Sequence, residues 1–421
     1  MRPRFQIALI GLATLGALWA VFAGGFVAGQ LLPNRGRPAA GVVAGDPPAA
    51  SAEGTGEATD FKVFWEAWNA IQERFYRGPI DPQRLREGAI KGLAQATGDD
   101  YTLYQNAAEA RRVRDSLRGS FEGVGIRVQL KENRPFIIEP IHDSPAARAG
   151  IEPKSLVLAV DGVSTEGMSM ERFGELVRGE RGTAVTLRVR REGAPVIREV
   201  TVIRDRIVVP SVTWRIVQSV GYMRVSNFNS RTFEEARMAL QEFGARKVSG
   251  LVLDLRNDLG GYLDTSVQIA SLFLPEGALV LTQESRVDGN KRFLAAGGFK
   301  DVTTLLVVLV NGNTASASEI VAGALQAHHR AALVGEPTFG KGSMQELHRL
   351  SDDSIMRVTS GIWITPAGVS LNGTGLAPDV AVTGEVRELG ADDDPVLQEA
   401  LRILAAGGVR PPTAYDAVPR R

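Results

Sequence analysis

The 421-residue chain balances 48 acidic against 48 basic residues, so no net field favours nucleic acid, and its length asks for two or three domains rather than one core. The absence of cysteine excludes disulfides, thiolate chemistry and cysteine-ligated zinc, and four histidines (His142, His328, His329, His348) leave little for a histidine metal site, so no metal or cofactor is expected. Only eight of the basic residues are lysines; the rest are arginines, which never deprotonate and cannot serve as bases.

Arg2 and Arg4 precede an apolar run from Phe5 to about Val27 that continues to Leu32, long enough to span a bilayer with its positive end in the cytoplasm. Residues 1–32 therefore read as a single-pass anchor or, with Ala-x-Gly pairs near Ala23, as a signal segment, and either way the remainder is expected outside the cytoplasmic membrane, periplasmic or extracellular. Residues 33–60, rich in Pro, Gly, Ala and Ser, read as a flexible linker. Residues 61–119 are helical by pattern. Val63, Phe64, Ala67, Trp68, Ile71 and Phe75 fall at helical spacing, Asp81-Pro82 opens a second helix, and Glu109 to Leu117 forms a third.

The period changes to short strands over residues 120–205, with strand patterns at 125–128, 135–138, 156–160 and 185–189, turns at Asp161-Gly162 and Glu192-Gly193, and short helices opening at Ser144-Pro145 and Ser169. Residues 206–385 alternate strand and helix: Leu251 to Leu255 and Thr304 to Val310 are continuous apolar runs, each followed by a helix, at about 264–273 and 315–328. That order predicts an α/β core. Asp394-Pro395 opens a final helix in the 386–421 tail.

Two positions carry the chemistry. Ser316, in Asn311-Gly-Asn-Thr-Ala-Ser-Ala-Ser-Glu319, falls just past a buried strand at a helix start, where unpaired N–H groups, notably that of Ala317, can stabilise an oxyanion. Ser316-x-x-Glu319 also reads as a capping box, the ordinary role of such a serine. Lys341 stands between Gly340 and Gly342, with no acid beside it. To take a proton from serine it must be neutral, and moving its pKa from about 10.4 toward 7 to 8 requires roughly 3 to 4 kcal/mol of preferential desolvation. The alternative is a solvated loop lysine.

Gly335-x-x-x-x-Gly340-Lys341 lacks the following Ser or Thr of a P-loop and leads into a strand pattern at Met344 to Leu347, which argues against ATP. On such a strand Gln345 would stand about 13 Å from Lys341 unless Gly342 bends the chain. Asp254-Leu-Arg-Asn-Asp-Leu-Gly-Gly261 follows a buried strand, and its glycines either aim an N–H at an oxyanion or form a plain tight turn. Gly123-Val124-Gly125-Ile126 can hold a carboxylate on successive N–H groups while a peptide adds to the sheet edge, although glycine pairs are common. The histidines read as loop or helix-end caps and Arg178 to Arg206 as a solvated face.

In combination, Thr314 to Ile320, Gly335 to Gly342, Asp254 to Asn257 with Gly260-Gly261, Gly119 to Gly125, Ser144 to Ala147 and Gly375 to Asp379 resemble the C-terminal processing peptidases, over about Phe61 to Val380. The resemblance implies a crotonase-like α/β protease core with an inserted PDZ domain at 120–205 and Gly123 to Ile126 as its carboxylate loop. It implies Ser316 as nucleophile, Lys341 as general base, Gln345 orienting the lysine, and an oxyanion hole from Ala317 and one of Gly260 and Gly261. Substrates would be proteins or peptides with exposed C-termini, and many members assemble through their terminal helices. Two departures stand out: Lys154-Ser155 where the family has Gly-Asp, and Leu259 where it has Pro or Ser. The reading is a membrane-anchored serine endopeptidase. Its rivals are a non-catalytic PDZ adaptor that binds C-termini, and a small-molecule serine hydrolase, for which the one-turn Ser-x-x-Lys pair is missing around Ser316.

Overall fold

The computed structural model describes residues 61–408 except 385 and 387. The expected membrane-spanning helix and linker lie outside the described residues, among which no helix is long and apolar enough to cross a membrane.

The apolar runs dictate the centre. Six strands lie side by side in chain order: Val212–Val217, Val220–Val225, Gly250–Asp254, Leu306–Val310, Ala332–Gly335 and Val380–Ala381. The first pair is antiparallel and the rest are parallel. Alternate residues of each run point to opposite faces, so a continuous apolar strand must be covered on both. One face (Met223, Leu251, Leu253, Leu306, Val308) packs on helices Thr232–Arg246, Leu263–Ser271 and Ala317–Ala327. The other (Tyr222, Val252, Val307, Leu309) packs on helix Pro395–Ala405 through Val396, Leu397, Leu401 and Leu404. The C-terminal helix is thus a layer of the core.

A buried ion cluster fastens that helix. Arg256 donates Nε to Asp254 Oδ1 at 2.9 Å and Nη1 to Asp394 Oδ1 at 3.0 Å, while Tyr222 Oη donates to Asp254 Oδ2 at 2.7 Å. Asp394 also caps the helix by accepting from the Val396 and Leu397 N–H groups.

A second, five-stranded antiparallel sheet was not foreseen from the sequence. Ile355–Ile364 is its hub, pairing with Leu103–Gln105, Leu279–Ser285 and Ser343–Arg349, and Lys291–Leu294 extends it. A strand from the N-terminal helical region is therefore built into the main body. Helix Ala107–Arg118 starts two residues earlier than its apolar pattern indicates, because Asn106 and Glu109 form a reciprocal cap.

The β-rich module has its own sheet, in the order Ile126–Lys131, Arg134–Pro140, Ser155–Val160, Ala184–Arg191, Ile197–Ile203, with helices Pro145–Arg148 and Met170–Val177 and a separate apolar cluster around Ile137, Val157, Phe173 and Leu187. It joins the rest through a two-stranded stem, Ser120–Gly123 against Asp205–Val208.

Asp394→Ala removes the helix cap and leaves Arg256, 1 % exposed, with half its partners. It should lower stability by about 3–5 kcal/mol, read from denaturant unfolding. A loss below about 1 kcal/mol would show that the cluster does not fasten the helix.

Candidate active site

Three loops at the carboxyl ends of adjacent core strands converge. The loop after Gly250–Asp254 and the loop after Leu306–Val310 are laced by asparagines: Asn257 N–H donates to Asn311 Oδ1 at 3.0 Å, and Asn311 Nδ2 donates back to Asn257 Oδ1 at 2.9 Å. Thr314 Oγ1 donates to the Leu255 carbonyl at 2.9 Å, and Ala315 N–H to the Asp258 carbonyl at 3.0 Å. These bonds deliver Ser316 to the start of helix Ala317–Ala327 with φ 56° and ψ −113°, an uncommon conformation for a residue with a side chain. Its hydroxyl is fully buried and makes no hydrogen bond among the described residues. The serine stands at the N-cap position, and Glu319 accepts from its N–H as in a capping box.

Glu319 is the link that sequence reading missed. Its Oε2 accepts from Ser316 N–H at 2.8 Å and Lys341 N–H at 2.9 Å; its Oε1 accepts from Gly340 N–H at 2.7 Å and Thr338 Oγ1 at 2.5 Å. One oxygen thus holds the backbones of the serine and the lysine side by side. Burial pushes the Glu319 carboxyl up, and the four donors work against that. The only sequence signal was its place in the Ser-x-x-Glu pattern, which reads as a cap.

Lys341 lies in a turn pressed against residues 371–376. Gly340 has φ +88°, and a Cβ there would sit 2.7 Å from the Gly375 nitrogen, so only glycine fits. Gly373 N–H donates to the Gly340 carbonyl at 2.8 Å, and Leu376 N–H to Thr338 Oγ1 at 2.7 Å. The lysine is 0 % exposed. Burial drives its pKa well below the ordinary 10.5; the Arg357 guanidinium adds to the drop, and Asp99 and Glu319 oppose it. Arg357 is itself pulled down to about 10 by burial. Lys341 Nζ lies 4.6 Å from the centre of the Tyr101 ring, a contact from the N-terminal region that no spacing rule could reveal.

Gln345 is also fully buried, and the strand begins only at Ser343, with a register shift between Met344 and Gln345. Straight-strand spacing therefore does not separate it from Lys341. Its Nε2 donates to Ser343 Oγ at 2.9 Å and Thr359 Oγ1 at 3.3 Å, and its Oε1 has no hydrogen-bond partner among the described residues.

Gly260 meets the serine directly. A Cβ on Gly260, at φ +98°, would stand 2.9 Å from the Ala317 nitrogen and 3.0 Å from Ser316 Cβ. Gly260 N–H is committed to Asp258 Oδ1 at 2.8 Å, whereas the N–H groups of Gly261 and Ala317 donate to no described residue. The structure thus distinguishes the two glycines by which N–H remains available.

In the β-rich module, Val124 and Gly125 turn their carbonyls inward, to Ala146 N–H at 2.8 Å and to Ile141 N–H at 3.0 Å, and their own N–H groups donate to no described residue. Gly123 ends a stem strand, and Ile126 begins an edge strand of the sheet. No group of three or more residues able to hold a metal occurs among the described residues.

Residues 219–382 match the model of peptidase family S41, and residues 136–191 match that of the PDZ domain. A carboxy-terminal-processing protease of Bartonella bacilliformis is 35% identical over 323 residues, spanning 76% of this chain and 74% of that protein. The carboxy-terminal processing protease CtpA of Bacillus subtilis is 33% identical across 75% of this chain and 67% of its own. A carboxyl-terminal-processing protease of Synechocystis is 34% identical across 81% of this chain and 82% of its own. With relatives this similar over most of both sequences, the chain belongs to peptidase family S41, among the carboxy-terminal processing proteases, and is a serine-type endopeptidase with a PDZ domain.

Proposed function

We propose that the endopeptidase works through Ser316 and a neutral Lys341, on protein substrates whose C-termini the PDZ domain captures. The observation that carries this reading is that Ser316 and Lys341 are both fully buried and that both backbones donate to one Glu319 oxygen. Lys341 Nζ takes the hydroxyl proton as Ser316 Oγ attacks the scissile carbonyl carbon. The N–H groups of Ala317 and Gly261 receive the developing oxyanion. The ammonium then gives its proton to the leaving amine. Water, deprotonated in turn by Lys341, hydrolyses the acyl-enzyme. Gln345 Oε1 is an acceptor ready for the lysine once it is charged.

The uncommitted N–H groups of Val124 and Gly125 suit a terminal carboxylate, and the edge strand Ile126–Lys131 suits an added peptide strand. The apolar run from Phe5 to Leu32 supports anchoring in the cytoplasmic membrane with the peptidase on its outer side. Helix Phe61–Arg74 buries none of its residues and shows Phe61, Val63 and Trp65 to solvent, which supports self-association.

Cleavage of an unfolded protein by the chain should be lost in Ser316→Ala and in Lys341→Ala with folding intact, and also in Lys341→Arg, because arginine keeps its proton. Full activity in any of the three would overturn the assignment. Gly260→Ala should lower cleavage about 100-fold or more, since its Cβ would displace Ser316 and Ala317.

A buried neutral lysine also weakens the fold. Between its depressed folded pKa and 10.5 the unfolded chain binds a proton that the folded chain lacks, so stability rises with pH across that window. Lys341→Met should therefore be more stable than the wild type at neutral pH, by up to about 1.4 kcal/mol per unit of depression. The gain should shrink toward pH 10.5, the ordinary lysine value. Denaturant unfolding at two pH values checks this; a destabilised Lys341→Met at neutral pH would contradict it.

A further inference from the structure

We propose that Tyr101 is a positioning residue of the active centre, its ring forming the roof that keeps bulk water off the Lys341 amine. The inference rests on the reading of Lys341 as the base. Lys341 is fully buried, Tyr101 is half-buried, and the ring centre lies 4.6 Å from Nζ. A half-exposed ring in contact with a fully enclosed amine is the outer layer of that enclosure. The segment 97–104 that supplies it comes from the N-terminal region, far from the serine and lysine motifs in sequence.

The ring is held in place by its neighbours rather than by its own hydroxyl. Asp99 Oδ2 accepts from Thr102 Oγ1 at 2.6 Å and from Thr359 Oγ1 at 2.5 Å, and Thr102 Oγ1 accepts from Thr359 N–H at 3.1 Å. Leu103 then pairs with Arg357 in the second sheet. Residues on both sides of Tyr101 are therefore pinned to the strand Ile355–Ile364, which carries Thr359, the partner of Gln345 Nε2. Roof, glutamine and lysine share one support.

Among the described residues, Arg357 from that strand, Asp99 from the roof segment and Glu319 from the helix after Ser316 act on Lys341. None of them is altered by changing Tyr101. The phenol is itself shifted up by burial and then by Asp100, Glu319 and Asp99, so the ring stays neutral and adds no charge to the balance. Burial is the largest influence holding the lysine down, and the Tyr101 ring, 4.6 Å from Nζ, is part of that burial. A ring face also attracts an ammonium. Loss of that attraction would move the lysine the opposite way, so the direction of the effect is diagnostic.

The test is the pH dependence of kcat/KM for peptide cleavage by the full chain, in the wild type, Tyr101→Phe and Tyr101→Ala, with unfolding curves for each. Tyr101→Phe should keep the wild-type profile. Tyr101→Ala should move the acidic limb to higher pH by about one unit, read as roughly tenfold lower rate below the limb, with activity recovering above it. A loss equal at every pH, or a limb displaced to lower pH, would overturn the proposal. Should Tyr101→Ala fail to unfold cooperatively, Tyr101→Thr takes its place with the same expected shift. Ser316→Ala and Lys341→Ala separate the two failures. Cleavage that survives either of them sinks the Ser–Lys reading, whereas a Ser- and Lys-dependent enzyme with an unmoved limb in Tyr101→Ala sinks only the roof.

Discussion

The site depends on one buried carboxylate. Glu319 receives hydrogens from Ser316, Thr338, Gly340 and Lys341, so the turn that carries the lysine is hung from the helix that carries the serine. Each donor would be orphaned in a dry interior without it, and a buried donor left unpaired costs about 1–3 kcal/mol. That cost makes the arrangement close to all-or-none. The same carboxylate opposes the depression of the lysine, while Arg357 reinforces it, so the net effect rests on burial.

Enclosure on this scale needs walls from several parts of the chain. The strand Ile355–Ile364 organises them, pairing on one side with the strand that carries Gln345 and on another with the short strand that follows Tyr101. Trp363, 0 % exposed, donates its N–H to the Gly342 carbonyl at 2.9 Å, which ties the lysine turn to the same strand. The second sheet is therefore scaffolding for the Lys341 turn, as the parallel sheet is scaffolding for Ser316, and Glu319 joins the two.

Much of the half that carries Ser316 could be read in advance. Strands Gly250–Asp254 and Leu306–Val310 are continuous apolar runs because both faces are covered, and the Asp-Pro starts at residues 81 and 394 are caps in the structure too. The half that encloses Lys341 was far less legible. Ile355–Ile364 mixes polar and apolar residues on a half-buried surface, and Leu103–Gln105 is only three residues long. These two strands pair across 254 positions, Leu103 with Arg357, beyond any local pattern. The straight strand assumed between Lys341 and Gln345 is replaced by a strand that starts at Ser343 and shifts register between Met344 and Gln345. Glu319 hid behind a motif that ordinarily means a cap.

The stem of the PDZ domain has a consequence for how the chain tolerates that insertion. Ser120 faces Val208 and Gly123 faces Asp205, so the polypeptide departs from the peptidase body and returns at neighbouring points. For the body, the whole domain is a closed excursion whose ends already touch, and doubling such a loop adds only about 0.6 kcal/mol of closure entropy. A short hairpin linking Gly123 to Asp205 would leave the body's own ladder in register.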